Sequence, residues 1–218
     1  TGDIADLEAD LAKYEINDAA TLQGKYRTLA TLNVIDGNND EALKMLGEVA
    51  ALEDKESSRL TSGMTVRALI AAKDQLSGNY SQAELQDAFG NQLQAYVNQL
   101  PYEVVQDQIK SGKGRAEFLS ENLLRGVVQS RLDPAVASTG EMTADQAGSI
   151  IGMRYTMDEM LPLNPVVAKV YGQYIKENAV EKENIWPARE FTFVDKMMRP
   201  DVVVGIWDSG VDPQVFGN

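Results

Sequence analysis

From Asp3 to about Val180, apolar residues recur at spacings of three and four, and this rhythm restricts the possible folds more than any other feature of the chain. That period places side chains on one stripe of an α-helix, so the spacing predicts a chain of amphipathic helices packed on their apolar faces. Ile4, Leu7 and Leu11 mark the first helix. Asn17 or Asp18 is placed to cap the second, whose apolar side is Leu22, Tyr26, Leu29, Leu32 and Ile35. The Gly37-Asn38-Asn39-Asp40 break precedes a helix opening at Glu41. A long run carrying Leu60, Met64, Val66, Leu69, Ile70 and Leu76 ends at Gly78, a good residue to close a helix. Ser81 and Glu84 have capping-box spacing, so a helix is predicted to start there, with Leu85, Phe89, Leu93, Tyr96, Val97 and Leu100 inward and Pro101 at its end.

The pattern next predicts a shorter helix with Val104, Val105 and Ile109, stopping at Gly112 and Gly114. Another follows from about Arg115 to Leu132, with Phe118, Leu119, Leu123, Leu124, Val127 and Val128 inward and Pro134 beyond it. Thr143 to Met160 and Pro165 to Val180 read as two more, the second with Pro165 at its first position. The helical rhythm fades after Val180. Trp186, Pro187, Phe191, Phe193 and Val194 suggest extended chain. A turn at Pro200-Asp201 leads into Val202-Val203-Val204-Gly205-Ile206-Trp207, the one strongly strand-like run. Apolar on both faces, it suits a central strand of a parallel sheet covered by helices.

A length of 218 residues allows one large domain, or one domain plus part of a second, at roughly 100 to 200 residues each. Hydrophobic residues at 44% and charged residues at 24% predict a packed core. The formal net charge of −13 argues against nucleic acid and anionic lipid as partners, because both are held by clustered Lys and Arg. No apolar stretch reaches the ~18 to 20 residues of a membrane span. The chain has no cysteine and no histidine. Disulfides, thiolate nucleophiles, zinc–thiolate sites and imidazole bases are therefore excluded from these residues, and no cofactor is predicted. Thr1-Gly2-Asp3 carries no initiator Met, basic segment or apolar leader, so the chain is expected to be processed or trimmed.

Several motifs read most simply as structure. Ala19 to Ala72 resembles a tetratricopeptide-type hairpin around Gly37-Asn38, without a second copy at a ~34-residue period. The carboxylate pairs Glu8/Asp10, Asp40/Glu41, Glu53/Asp54 and Asp158/Glu159 are expected on solvated helix faces, and none has calcium-loop spacing. Lys113-Gly114-Arg115 reads as a short basic surface loop. Met142, Met153, Met157, Met160, Met197 and Met198 read as core filling. Neither a phosphate-binding glycine loop nor a Gly-x-Ser-x-Gly elbow occurs.

One run differs. Val203-Val204-Gly205-Ile206-Trp207-Asp208-Ser209-Gly210-Val211-Asp212 sets an Asp at the C-terminal end of a strand, where the catalytic groups of α/β sheets gather. Gly210 permits a tight turn, and Ser209 can hydrogen-bond beside the carboxylate. The segment Asp201 to Pro213 resembles the Asp-Ser-Gly motif of subtilisin-like serine peptidases, whose triad runs Asp, His, Ser along the chain. It departs at Trp207, where the family usually has a small aliphatic residue, and at Gln214-Val215, where it often has His-Pro. The resemblance implies that Asp208 is the triad aspartate, with Ser209 and Gly210 as motif companions and Ser209 not the nucleophile.

The resulting expectation is a mainly α protein. A multi-helix N-terminal domain, residues 1–180, propeptide-like or accessory, is joined by a linker, 181–200, to a strand opening a truncated α/β subtilisin-type catalytic domain, 201–218. By resemblance the full-length parent is a serine endopeptidase, secreted or periplasmic, acting on protein or peptide substrates. This chain alone lacks the His and the nucleophilic Ser. The helical region would pack on its own catalytic domain and serve folding, latency or docking. The alternative is a non-enzymatic, repeat-like helical scaffold for protein interaction.

Overall fold

The computed structural model describes residues 2–180 and 184–190. Contacts divide the chain into two units, 1–179 and 180–218. Among the described residues the fold is mainly α, with no strand. The run Val202 to Trp207, the Asp208-Ser209-Gly210 motif, Phe191, Phe193, Val194 and Met197-Met198 lie outside the described residues, as does most of the 181–200 linker.

The first unit opens with α1 (Gly2–Lys13) and α2 (Ala19–Ile35). Asp18 caps α2 by accepting from the Thr21 N–H at 2.7 Å. The Thr21 hydroxyl and N–H hold the Asp18 carboxyl below the usual carboxylate range. Leu29 and Leu32 are buried as the spacing requires, but Ile35 is 53% exposed. The last turn buries Val34 and Asn33 instead. Asn33 is a polar residue made tolerable in the core by its bonds: its Nδ2 donates to Leu29 O, and its Oδ1 accepts from Asn38 Nδ2. Gly37, at φ +78, turns the chain into α3 (Asn39–Ala51), which lies back on α2 as a hairpin.

The long run expected around Leu60 to Leu76 is two helices, α4 (Glu56–Thr61) and α5 (Met64–Leu76). Gly63 separates them with φ +66, and Leu60 is left exposed. Spacing alone hid this break, because a residue in the left-handed region interrupts a helix without disturbing the apolar count. The capping box at Ser81 is formed: Glu84 N–H donates to Ser81 Oγ at 3.3 Å, and Ser81 N–H to Glu84 Oε2 at 2.8 Å. It starts α6 (Gln82–Val97), which packs on α5 and buries Leu85, Phe89, Leu93 and Val97.

The largest correction concerns Gly112 and Gly114. Neither stops a helix, for α7 (Tyr102–Phe118) runs through both. Lys113-Gly114-Arg115 is therefore helix, not a basic loop, and Lys113 pairs with Glu117 one turn on at 2.5 Å. The helix predicted from Arg115 to Leu132 is replaced by the end of α7, a break at Leu119-Ser120, α8 (Glu121–Val127), and a π-helical turn at Val128–Leu132. Pro134 does not end this stretch. It occupies the first turn of α9 (Asp133–Thr139), where a missing N–H costs nothing. No residue of α8, α9 or the turn between them is buried, and Phe118, expected inward, is 75% exposed.

A second capping box, Thr143 with Gln146, opens α10 (Ala144–Tyr155). The helix passes into a π-helical turn, Thr156–Met160, and a short 3-10 turn, Leu161–Leu163. Then α11 (Asn164–Asn178) begins with Pro165 in its first turn, as its sequence predicts. It packs between α6 and α7. Tyr174 Oη donates to Leu100 O at 2.7 Å, and Gln86 Nε2 to Pro162 O at 2.8 Å, tying the end of the fold to its middle. Phe89, Leu69, Leu93, Val105, Ile109 and Leu163 are fully buried at the centre. Among the described residues no helix is long and apolar enough to cross a membrane.

Candidate functional site

The carboxylate pairs occupy separate places. Asp10 pairs with Lys25 at 3.2 Å, Glu41 with Lys44 at 3.2 Å, and Glu53 with Arg27 at 3.0 Å. Arg154 reaches Asp158 one turn on, as expected of a solvated helix face. Glu159 departs from that expectation: half-buried, it takes Lys73 of α5 at 2.7 Å and clamps the π-helical turn to the core. A cavity of about 680 Å³ between α1, α2 and α10 has Asp6, Asp10, Asp18 and Asp145 in its lining. Among the described residues no cluster of His, Cys, Asp or Glu is arranged to hold a metal ion. Of the methionines read as core filling, Met160 packs against the core whereas Met142 is exposed.

The more structured concavity is a groove of about 750 Å³ within the first unit. Leu46 and Val49 of α3, Ile109 and Ala116 of α7, and Val167 and Tyr171 of α11 form apolar walls. Thr31, Thr61, Ser62, Thr65, Gln108 and Ser111 supply hydroxyls and an amide to its lining. Two glycines shape it. A Cβ on Gly63 would lie 2.9 Å from Leu46 Cδ2, and one on Gly112 would lie 2.7 Å from Tyr171 Cε2. Both separations are below van der Waals contact, so close backbone approach at these points depends on glycine.

Tyr155 and Asn164 also line the groove, at the end of α10 and the start of α11. The Tyr155 hydroxyl and the Asn164 Nδ2 are both buried and have no hydrogen-bond partner within the protein. Such groups are rare in folded proteins, because leaving one unsatisfied costs roughly 1 to 3 kcal/mol. Tyr155 adjoins the π-helical turn Thr156–Met160, a helix irregularity common at functional sites, and Asn164 follows the 3-10 turn Leu161–Leu163.

Burial pushes the Tyr155 hydroxyl up, with the Glu159 charge adding to the effect, and burial does the same to Tyr171. Each phenol therefore stays protonated at neutral pH, able to donate and to accept a hydrogen bond but not to act as a base. The groove is equipped for recognition more than for proton transfer. The sequence pattern did not single out Tyr155, Asn164 or Gly63, and it read Gly112 as a helix stop. Their only signal was mild: a tyrosine on an apolar face and glycines inside helical runs.

Asp208, Ser209 and Gly210, the site residues that the sequence singled out, lie outside the described residues. No family model, curated protein or solved structure matches the chain.

Proposed function

We propose that the chain is the front of a subtilisin-like serine endopeptidase, with a helical accessory domain ahead of the strand that carries the triad aspartate. The observation that carries this reading is Asp208 placed directly after the β-branched run Val202 to Ile206 and Trp207, and followed by Ser209-Gly210. A buried Asp at a strand end is rigidly mounted to accept from imidazole Nδ1. It holds the tautomer that lets Nε2 take the proton of the attacking serine, and it stabilises the imidazolium that forms. The 218 residues contain no histidine, so on this reading the triad's imidazole is not among them. The separate compactness of residues 1–179 supports an accessory role in folding, latency or docking. Export to the periplasm or the exterior follows from the same family resemblance.

In the full-length parent, Asp208→Asn is expected to lower turnover on a general protein substrate by about 10⁴, with the fold unchanged by circular dichroism. Equal turnover in both proteins would return Asp208 to a turn residue. A non-enzymatic helical scaffold would then be the better reading, and the observation that favours it is the groove whose lining includes Tyr155 and Asn164, each with a buried polar atom that has no partner within the protein.

A further inference from the structure

The chain between α7 and the turn Thr156–Met160 is held differently from the rest of the first unit. Residues 119–155 take in α8, the π-helical turn Val128–Leu132, α9 and α10, and their one buried residue is Tyr155. The single helix α6 buries five. Burial of apolar surface is the main force that fixes a segment in place, so this stretch is weakly bound for its length.

Polar bonds do not make up the difference. Ser120 and Thr143 cap α8 and α10, Arg125 pairs with Glu121, and Arg154 reaches Asp158 one turn on. All of these are local, and among the described residues no hydrogen bond or ion pair of 119–155 crosses to a distant part of the fold. The helix α8, the turn after it and α9 pack chiefly on one another. Only α10 rests substantially on another helix, α2, and a cavity of about 680 Å³ lies between these two and α1.

Both roots of the stretch are firm. On one side α7 buries Val105 and Ile109 and packs on α11. On the other, Glu159 meets Lys73 at 2.7 Å, and Gln86 Nε2 donates to Pro162 O at 2.8 Å. Between root and stretch the backbone changes character twice. Leu119 and Ser120 are extended, with ψ 127 and 160, so helical bonding lapses there. At the far end stands the π-helical turn Thr156–Met160, an irregularity at which helices bend. The anchor itself is imperfect. Tyr155 is 6% exposed and belongs to the core cluster, yet its buried hydroxyl has no partner within the protein. Docking the ring buries apolar surface at the cost of the hydroxyl's hydration, and undocking restores that hydration.

We infer that residues 119–155 form a hinged strap that opens in one piece while α5, α6, α7 and α11 stay folded, with Tyr155 as its latch. Leu119 and Tyr155, the two ends of the strap, both line the groove of about 750 Å³. Opening therefore takes both out of the groove's wall and widens it. The inference rests on burial and bonding within the first unit and holds whether or not Asp208 belongs to a triad.

The test is hydrogen–deuterium exchange of the full 218-residue chain, read by mass spectrometry. Amides of the strap's helices are expected to exchange roughly tenfold or more faster than those of α5, α6 and α11, with one urea dependence shared along the strap. Tyr155→Phe keeps the ring and removes the unpartnered hydroxyl, so it should slow exchange in the strap about fivefold. A cross-link gives an independent measurement. A Cβ on Gly148 of α10 would lie 4.0 Å from Thr28 Cβ of α2, within disulfide reach, and the chain has no cysteine of its own. In the double variant Thr28→Cys, Gly148→Cys, oxidation should slow strap exchange roughly tenfold and reduction should restore it, with α5, α6 and α11 unchanged. Equal protection of strap and core, unchanged or faster exchange in Tyr155→Phe, or identical exchange in the oxidised and reduced forms would each overturn the proposal.

Discussion

Gly112 and Gly114 are two residues apart in one helix, and their surroundings give them opposite meanings. Inside a helix, glycine costs about 1 kcal/mol relative to alanine. At Gly114 nothing lies within 4 Å of an added Cβ, so Gly114→Ala should raise stability by up to about 1 kcal/mol. At Gly112 the added atom would meet the buried Tyr171 ring at 2.7 Å. Gly112→Ala should therefore lower stability by about 1 to 3 kcal/mol, as overpacking does. Urea unfolding of the two variants checks both signs, and a stabilised Gly112→Ala would show that Tyr171 yields. The sequence presents these glycines alike, as helix-weakening residues. Their difference is made by α11, some sixty residues away.

Elements with a local chemical signature were legible from residues alone. The Ser81/Glu84 box and Pro165 in the first turn of α11 both stand where the pattern placed them, because capping is a matter of four adjacent residues. Irregular elements were not legible. The π-helical turns at Val128–Leu132 and Thr156–Met160 continue the apolar count while shifting which face each side chain occupies. Burial departs from periodicity between Phe118 and Val128 as well, where α7 ends, the chain breaks at Leu119-Ser120 and no residue of α8 is buried. Phe118 and Phe89 both occupy inward positions of a helical pattern, yet Phe89 is fully buried in the core cluster and Phe118 is mostly exposed. Phe89→Ala should cost about 3 to 5 kcal/mol, whereas Phe118→Ala should stay within about 0.5 kcal/mol of the parent. Comparable losses in the two variants by chemical denaturation would contradict this assignment of the core.

On the scale of the molecule, residues 1–179 form one compact unit. A polypeptide of these residues should therefore fold alone, with one cooperative thermal transition and the circular dichroism of a helical protein. A non-cooperative melt would mean that its core needs the remainder of the chain. The sequence by itself determined the mainly helical class, most helix starts, the exclusion of thiol and imidazole chemistry, and the Asp208-Ser209-Gly210 motif behind the functional proposal. All of these depend on residue identity and near-neighbour spacing. Tertiary structure alone decided that α7 runs through its glycines, that Glu159 turns inward to Lys73, and that the buried Tyr155 hydroxyl and Asn164 Nδ2, residues of one groove's lining, find no partner within the protein. The physical reason is that burial, close approach and unmet hydrogen bonds are properties of surfaces brought together from distant segments, and local spacing carries no record of which surfaces will meet.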